Sequence, residues 1–299
     1  IADLTDAEQY APDNDNSDRT KMTKTVAQAM LAKVYAEKEV QDYDKVIAYA
    51  DKVMNTTGVE LEDSYETLWG YDETAIDCMK RNTKEGILEV HWSGGGNWET
   101  WMYGRQLDNW DYYFTWAKWI TPSRDIINDF DKEGDEVRKN QAIVYYACTW
   151  SNYYPASNYP FMYKLRSSYN NVYWVRLADI ILMKAEAEAY KGNLAESAKL
   201  VNQIRKRAKL KELTSDKTGS KESMIEAVLH ERRLELAFEG ERWFDLCRNN
   251  KEEQYLNGID NRDSGRIRQV RQFDSNSYLL PIPQTALDQN TNLEQNPGY

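Results

Sequence analysis

Histidine is almost missing from this 299-residue chain, which holds only His91 and His230. Neither has a second His or a Cys at ligand spacing, and no HExxH, GxSxG, SxxK or Walker pattern occurs. The usual signatures of metalloprotease, serine-hydrolase and nucleotide chemistry are therefore lacking. Cysteine is as scarce. Cys78, Cys148 and Cys247 are odd in number, far apart and without CxxC spacing, which excludes a disulfide framework and a cysteine zinc site. Positive charge is the third shortage: 38 Lys and Arg face 49 Asp and Glu, a net charge of −11. A nucleic-acid binder must neutralise phosphates, so this balance argues against that role and against docking on anionic lipid by charge alone. No apolar run approaches the roughly 18 residues that span a bilayer. The opening at Ile1 has helical spacing without a capping residue, an initiator Met or a leader. It predicts a chain that starts inside an element, with any signal peptide or lipid anchor upstream.

What the chain does have is helical periodicity. Ala27, Met30, Leu31 and Val34 share one helix face, and Tyr43, Val46, Ile47, Ala50 and Met54 share another. A short polar link over 38–42 makes these antiparallel neighbours. Far downstream Ala178, Ile181, Leu182, Ala185 and Ala189 form one stripe, and Leu194, Ala198, Val201, Ile204 and Ala208 the next. Between them Gly192 is placed to take the left-handed conformation that ends a helix. Small contact residues and a Gly-Asn turn suit tetratricopeptide pairs, although ordinary helical hairpins share that periodicity. A fifth helix is predicted from a Ser223/Glu226 capping box to a stop at Gly240. Residues 86–92 read as a short strand, and Gly94–Gly96 as a hinge rather than a phosphate loop. Asp13 to Asp18 starts like a calcium loop but lacks its glycine and its final glutamate, so it reads as a solvated loop. Pro281, Pro283 and Pro297 predict an irregular C-terminal stretch.

Five stretches carry a family resemblance. They are residues 1–12 with 19–54, the strand around Gly86–Ser93, residues 175–210, residues 230–248 (HERRLELAFEGERWFDLCR) and residues 278–299. In this order they resemble the SusD/RagB outer-membrane nutrient-binding lipoproteins of the Bacteroidetes, without that family's N-terminal part. The resemblance implies a mainly helical (all-α) single domain over 1–299, with tetratricopeptide-like pairs at 20–55 and 176–210 around one core. It also implies a variable, irregular, aromatic-rich, ligand-facing insertion at 93–175 with a short strand element beside it. It further implies a non-catalytic cell-surface protein of polysaccharide utilisation, lipid-anchored upstream in the outer membrane. Such a protein hands glycans to a SusC-like TonB-dependent transporter. Some members take up peptides instead, and a helical glycoside hydrolase is the reading from another class.

Two segments bear on function. The run Glu231, Arg232, Arg233, Glu235, Glu239, Glu241, Arg242, Asp245 could hide a catalytic carboxylate pair. Its alternating charges suit pairing across helix turns, and neighbouring arginines would lower the raised pKa that a catalytic acid needs, so it reads as bracing. His230 beside it reads as a surface or ion-paired residue. The aromatic segment is different. The chain has 10 Trp and 21 Tyr against 6 Phe, and six of the Trp fall within 92–119. An indole covers the C–H face of a pyranose while Asn, Asp and Arg satisfy its hydroxyl rim. Trp98, Trp101, Trp110 and Tyr112, with Arg105, Asp108 and Asn109, are thus the candidate ligand residues. Trp92, Phe114, Trp116 and Trp119 read as packing. The second aromatic stretch, Tyr145 to Tyr163, could be wall or packing. No cofactor and no metal is expected.

Overall fold

The computed structural model describes the chain except for residues 73, 76, 93–120, 148–150, 152, 167–168 and 266–271. Helix α1 (Ala2–Tyr10) starts after Ile1 without a side-chain cap. The first pair is capped by the polar residues ahead of it. Thr23 accepts from the Val26 amide to open α2 (Lys24–Ala36), and Asp42 accepts from Lys45 to open α3 (Tyr43–Met54). Then come α4 (Tyr65–Trp69), the two-residue strands β1 (Tyr71–Asp72) and β2 (Asp77–Cys78), and β3 (Gly86–His91). Beyond residue 120 lie α5 (Arg124–Glu133), α6 (Glu136–Ala142), β4 (Ile143–Tyr146), β5 (Tyr159–Met162) and β6 (Asn171–Arg176). The second pair is α7 (Leu177–Lys191) and α8 (Leu194–Arg207). A single turn, α9 (Ser215–Thr218), precedes α10 (Lys221–Glu235), α11 (Arg242–Arg248), α12 (Glu252–Leu256), α13 (Ile259–Arg262) and α14 (Gln284–Gln289).

The fold is mainly helical, as the periodicity predicts. Twelve of the fifteen residues of α7 are buried, which makes it the central helix rather than a surface one. Around it pack Val26 and Ala29 of α2, Ala50 and Val53 of α3, Val201 and Ile204 of α8, and Val228 and Leu229 of α10. Both predicted helix pairs are present, and the α7 stripe lies wholly in this core. α2, however, turns Val26 and Ala29 toward it rather than most of the predicted face, with Leu31 in a separate cluster beside Ala32 and Tyr49. Val46 of α3 packs with Ala36, Met183 and Ala187. Gly192 closes α7 at φ +84, where its amide and that of Asn193 take up the Ala189 and Glu188 carbonyls.

Three local expectations are corrected. The capping box of α10 is Ser220 with Ser223, each side chain accepting from the other's amide, and not Ser223 with Glu226. The glutamate instead takes Lys251 and the Tyr255 hydroxyl. The short strand expected at 86–92 is present as β3, which pairs antiparallel with β6, Val90 opposite Val172 and His91 opposite Asn171. The described half of the 93–175 segment is not irregular. Ser123 caps α5, Gly134 at φ +67 ends it, and Asp135 caps α6, while β4 and β5 pair from Ile143–Met162 to Tyr146–Tyr159. The Asp13–Asp18 loop is more than solvated, because Asn14 and Asn16 accept from the buried Arg19 guanidinium, which also reaches the Gly58 carbonyl.

The charged run at 231–245 does brace the helices, but not across its own turns. Arg232 binds Asp179 of α7 at 2.7 Å and Asp245 of α11 at 2.8 Å, both fully inside the protein. Glu235 takes Arg176 of β6, Arg138 of α6 and Arg207 of α8, while Glu231 takes Arg138 and Arg205. Burial alone would raise the Glu235 pKa, but these three arginines hold it below the ordinary carboxylate range. Not every carboxylate of the run follows that rule. Glu241 goes up, since burial and the Asp179 charge outweigh Lys33. His230, expected at the surface or in an ion pair, is partly exposed and lies within hydrogen-bond distance of Glu133 at 3.2 Å.

Two substitutions test this frame by urea denaturation. Gly192→Ala meets no atom within 4 Å, so its cost of about 1 kcal/mol comes from the backbone angle alone. Arg176→Met leaves Glu85, Glu235 and Glu239 short of a partner in the interior, and is expected to cost about 3–5 kcal/mol. Unchanged stability in either variant would contradict the geometry described.

Candidate functional site

A cavity of about 690 Å³ opens beside β6, within the size range of small-molecule sites. Its walls come from elements far apart in sequence: Trp69 of α4, Met162 of β5, Val172 and Tyr173 of β6, and the turn 236–240 that follows α10. That turn is unusual. Phe238 sits at φ +65, a region costly for a bulky residue, and Gly240 at φ +89. Phe238 packs against the apolar cluster that contains Ile126, Phe130 and Leu234, so packing overrides the backbone preference.

Charge fixes the turn from the other side. Glu239 receives Lys164 at 2.6 Å and the Arg176 Nε at 2.7 Å. The Lys164 ammonium also donates to the Glu235 carbonyl and lies over the Trp69 ring at 4.6 Å and the Tyr65 ring at 5.3 Å. Burial pushes this lysine down to about 8 against the pull of Glu239, and the Arg176 charge pushes the same way. Trp69 packs edge-on against Tyr173, and its buried indole N–H has no partner among the described residues.

The rim is aromatic. Val172, which lines the cavity, and Trp174 lie two apart on β6 and so share a face of the strand. Trp174 is 65% exposed, the most open tryptophan among the described residues. Trp243 lines the opposite wall, 39% exposed, and leans on Phe273 and Tyr278 with ring centroids 5.7 and 6.3 Å away. Neither rim tryptophan was singled out from the sequence. Trp174 sits in a Val-rich alternating run that signals a strand, and Trp243 lies inside the charged stretch that drew attention only for its charges.

The ligand residues expected from the sequence, Trp98, Trp101, Arg105, Asp108, Asn109, Trp110 and Tyr112, lie outside the described residues, as do Phe114, Trp116 and Trp119. The flanks of their segment are described. The Trp92 amide donates to the Asn170 carbonyl just ahead of β6, and Thr121 lines the cavity. Trp92 is half-buried, with its indole N–H unpartnered among the described residues. In the second aromatic stretch Tyr159 is buried, Tyr153 and Tyr154 lie on the Arg124 guanidinium, and Tyr163 lies on Arg166. Those rings pack.

The low pKa of Lys164 makes a testable sign. Between about pH 8 and the ordinary lysine value of 10.5, the unfolded chain holds a proton that the folded protein has lost. Unfolding therefore becomes harder as pH rises through that window. Urea titrations should show wild type gaining on Lys164→Met over this range. A gap that stays flat would mean the ammonium is not confined as described.

Comparison with known proteins supplies the family. The SusD family model matches residues 84–299. "SusD-like protein P2" of Formosa agariphila is 27% identical over 339 residues, covering 100% of this chain and 64% of that protein. "SusD-like protein P38" of the same organism is 35% identical over 135 residues, 43% of this chain and 25% of its own length. This chain thus spans less than two thirds of the length of either relative. Among solved structures, a laminarin-binding SusD-like protein superposes with a TM-score of 0.71 at 24% identity, covering 100% of this chain and 68% of that one. Surface glycan-binding protein A from Bacteroides thetaiotaomicron does so with a TM-score of 0.70 at 18% identity, covering 98% and 69%. With a family model matched over most of its length and a fold shared from end to end, the chain belongs to the SusD family.

Proposed function

We propose that this chain captures oligosaccharides at the cell surface and delivers them, uncleaved, to a SusC-like TonB-dependent transporter. One observation carries the reading: an aromatic-walled cavity is lined by Thr121, the first described residue after the Trp-rich segment, and the exposed Trp174 stands two residues along β6 from Val172 of its lining. A contiguous exposed aromatic surface beside a cavity marks an interaction site, and an indole face is suited to the C–H face of a sugar. The Trp-rich segment would then add Trp98, Trp101, Trp110 and Tyr112 to the platform, with Arg105, Asp108 and Asn109 on the sugar hydroxyls. The glycan-binding names of two structural neighbours support the same class of ligand. The cavity carboxylates Glu239 and Asp245 are both bonded to arginines, an arrangement for bracing rather than proton transfer. The anchor would be a lipid upstream of Ile1, in the outer membrane; among the described residues no helix is long and apolar enough to cross a membrane.

Affinity electrophoresis on a polysaccharide panel that includes laminarin tests this reading. Each of Trp174→Ala, Trp243→Ala, Trp98→Ala and Trp101→Ala should weaken binding several-fold, at about 1 kcal/mol per stacked ring. No reducing sugar should be released. Full affinity in all four variants would put the site elsewhere, and turnover lost on changing one carboxylate would make the protein a hydrolase.

A further inference from the structure

The charged side chains around the cavity are not all matched. Arg232 is bound by Asp179 and Asp245, Arg233 by Asp125 and Asp129, and Lys164 by Glu239. Asp245 also takes Arg248, and Glu239 also takes Arg176. Arg242 is the exception. It lines the cavity from the first turn of α11, donates to the Leu229 carbonyl at 3.2 Å, and lies over the Tyr255 ring at 4.6 Å. Among the described residues it makes no direct ion pair with a carboxylate, although Asp245 and Glu226 act on it through space and it shares a hydrogen bond with the Tyr255 side chain. Burial, then the nearby Arg233 charge, push its pKa down, yet a guanidinium stays charged at any physiological pH. A half-buried guanidinium with no carboxylate bonded to it leaves part of its fork unused, and an Arg fork has the geometry for two oxygens of one oxyanion.

Resting on the glycan-capture reading, we propose that the cavity selects an acidic sugar residue, with its carboxylate or sulfate ester on the free N–H groups of Arg242. The apolar wall of Trp69, Tyr173 and Trp243 would then take the ring, and the arginine the charge. A neutral sugar at the same place would leave the guanidinium unpaired. Specificity follows from that difference, since a buried charge left without its partner penalises the wrong ligand more than any stacking contact distinguishes it. The selection is local: the protein as a whole is acidic, with a net charge of −11, and does not attract anions by its overall field.

Calorimetry with matched pairs reads this directly. One arm compares oligogalacturonate with its carboxyl-reduced, neutral counterpart, and the other compares a sulfated galactan oligosaccharide with its desulfated form. A neutral panel, laminarin-derived oligosaccharides included, runs beside them. The expected result is at least a tenfold preference for the acidic member in one arm, which says whether uronate or sulfate is read. In Arg242→Gln that preference should collapse toward unity, with the melting temperature read alongside to show that the variant is folded. Arg242→Lys should keep part of it. Equal binding within both pairs, or binding to neutral glycans alone, overturns the acidic selection and leaves glycan capture standing. Binding to nothing in any arm sinks both.

Discussion

Everything in this structure is arranged around charges that have been taken out of water. Arg138, Arg176, Arg232 and Arg248 are among the largest fully buried side chains, and each reaches carboxylates on other elements. An unpaired ion at such depth costs several kcal/mol, so the elements carrying these groups cannot shift without breaking a pair. Glu235 alone ties α10 to α6, β6 and α8. Arg248 grips Glu186 of α7 with two parallel bonds of 2.7 and 2.8 Å, the bidentate form that fixes direction as well as distance. The apolar core around α7 supplies the gross driving force, and the ion pairs decide which packing of the helices is allowed.

The cavity is a by-product of that constraint. Because Glu239 must stay between Lys164 and Arg176, the turn after α10 is held in a backbone that Phe238 would not choose by itself. The wall is therefore pre-formed, and a ligand need not order it, which lowers the entropic cost of binding.

How much of this could be read from the sequence divides by range. The helix pairs were legible because their information is local: stripes at 3.6 periodicity, a short polar link over 38–42, and a glycine at position 192. The strand at 86–91 was legible, but its partner was not, since β6 lies some 80 residues on and its register depends on the fold. The charged run announced itself by density, while the identity of each partner, such as Asp179 for Arg232 or Asp125 for Arg233, came only with the tertiary structure. The site was the least legible. Local aromatic density drew attention to 92–119, whereas Trp69, Lys164 and Trp243 converge on the cavity from segments with no shared motif.

The central claim is that sugar is held at this cavity, on surfaces that the buried ion pairs hold in place. A crystal structure with a bound oligosaccharide, chosen from the panel by affinity, tests it most directly. The account predicts a sugar ring against Trp174 or Trp243, another within the space bounded by Trp69 and Tyr173, and the 236–240 turn unmoved. Sugar seated away from β6, or a turn rebuilt around it with Glu239 released from Lys164 and Arg176, would contradict it.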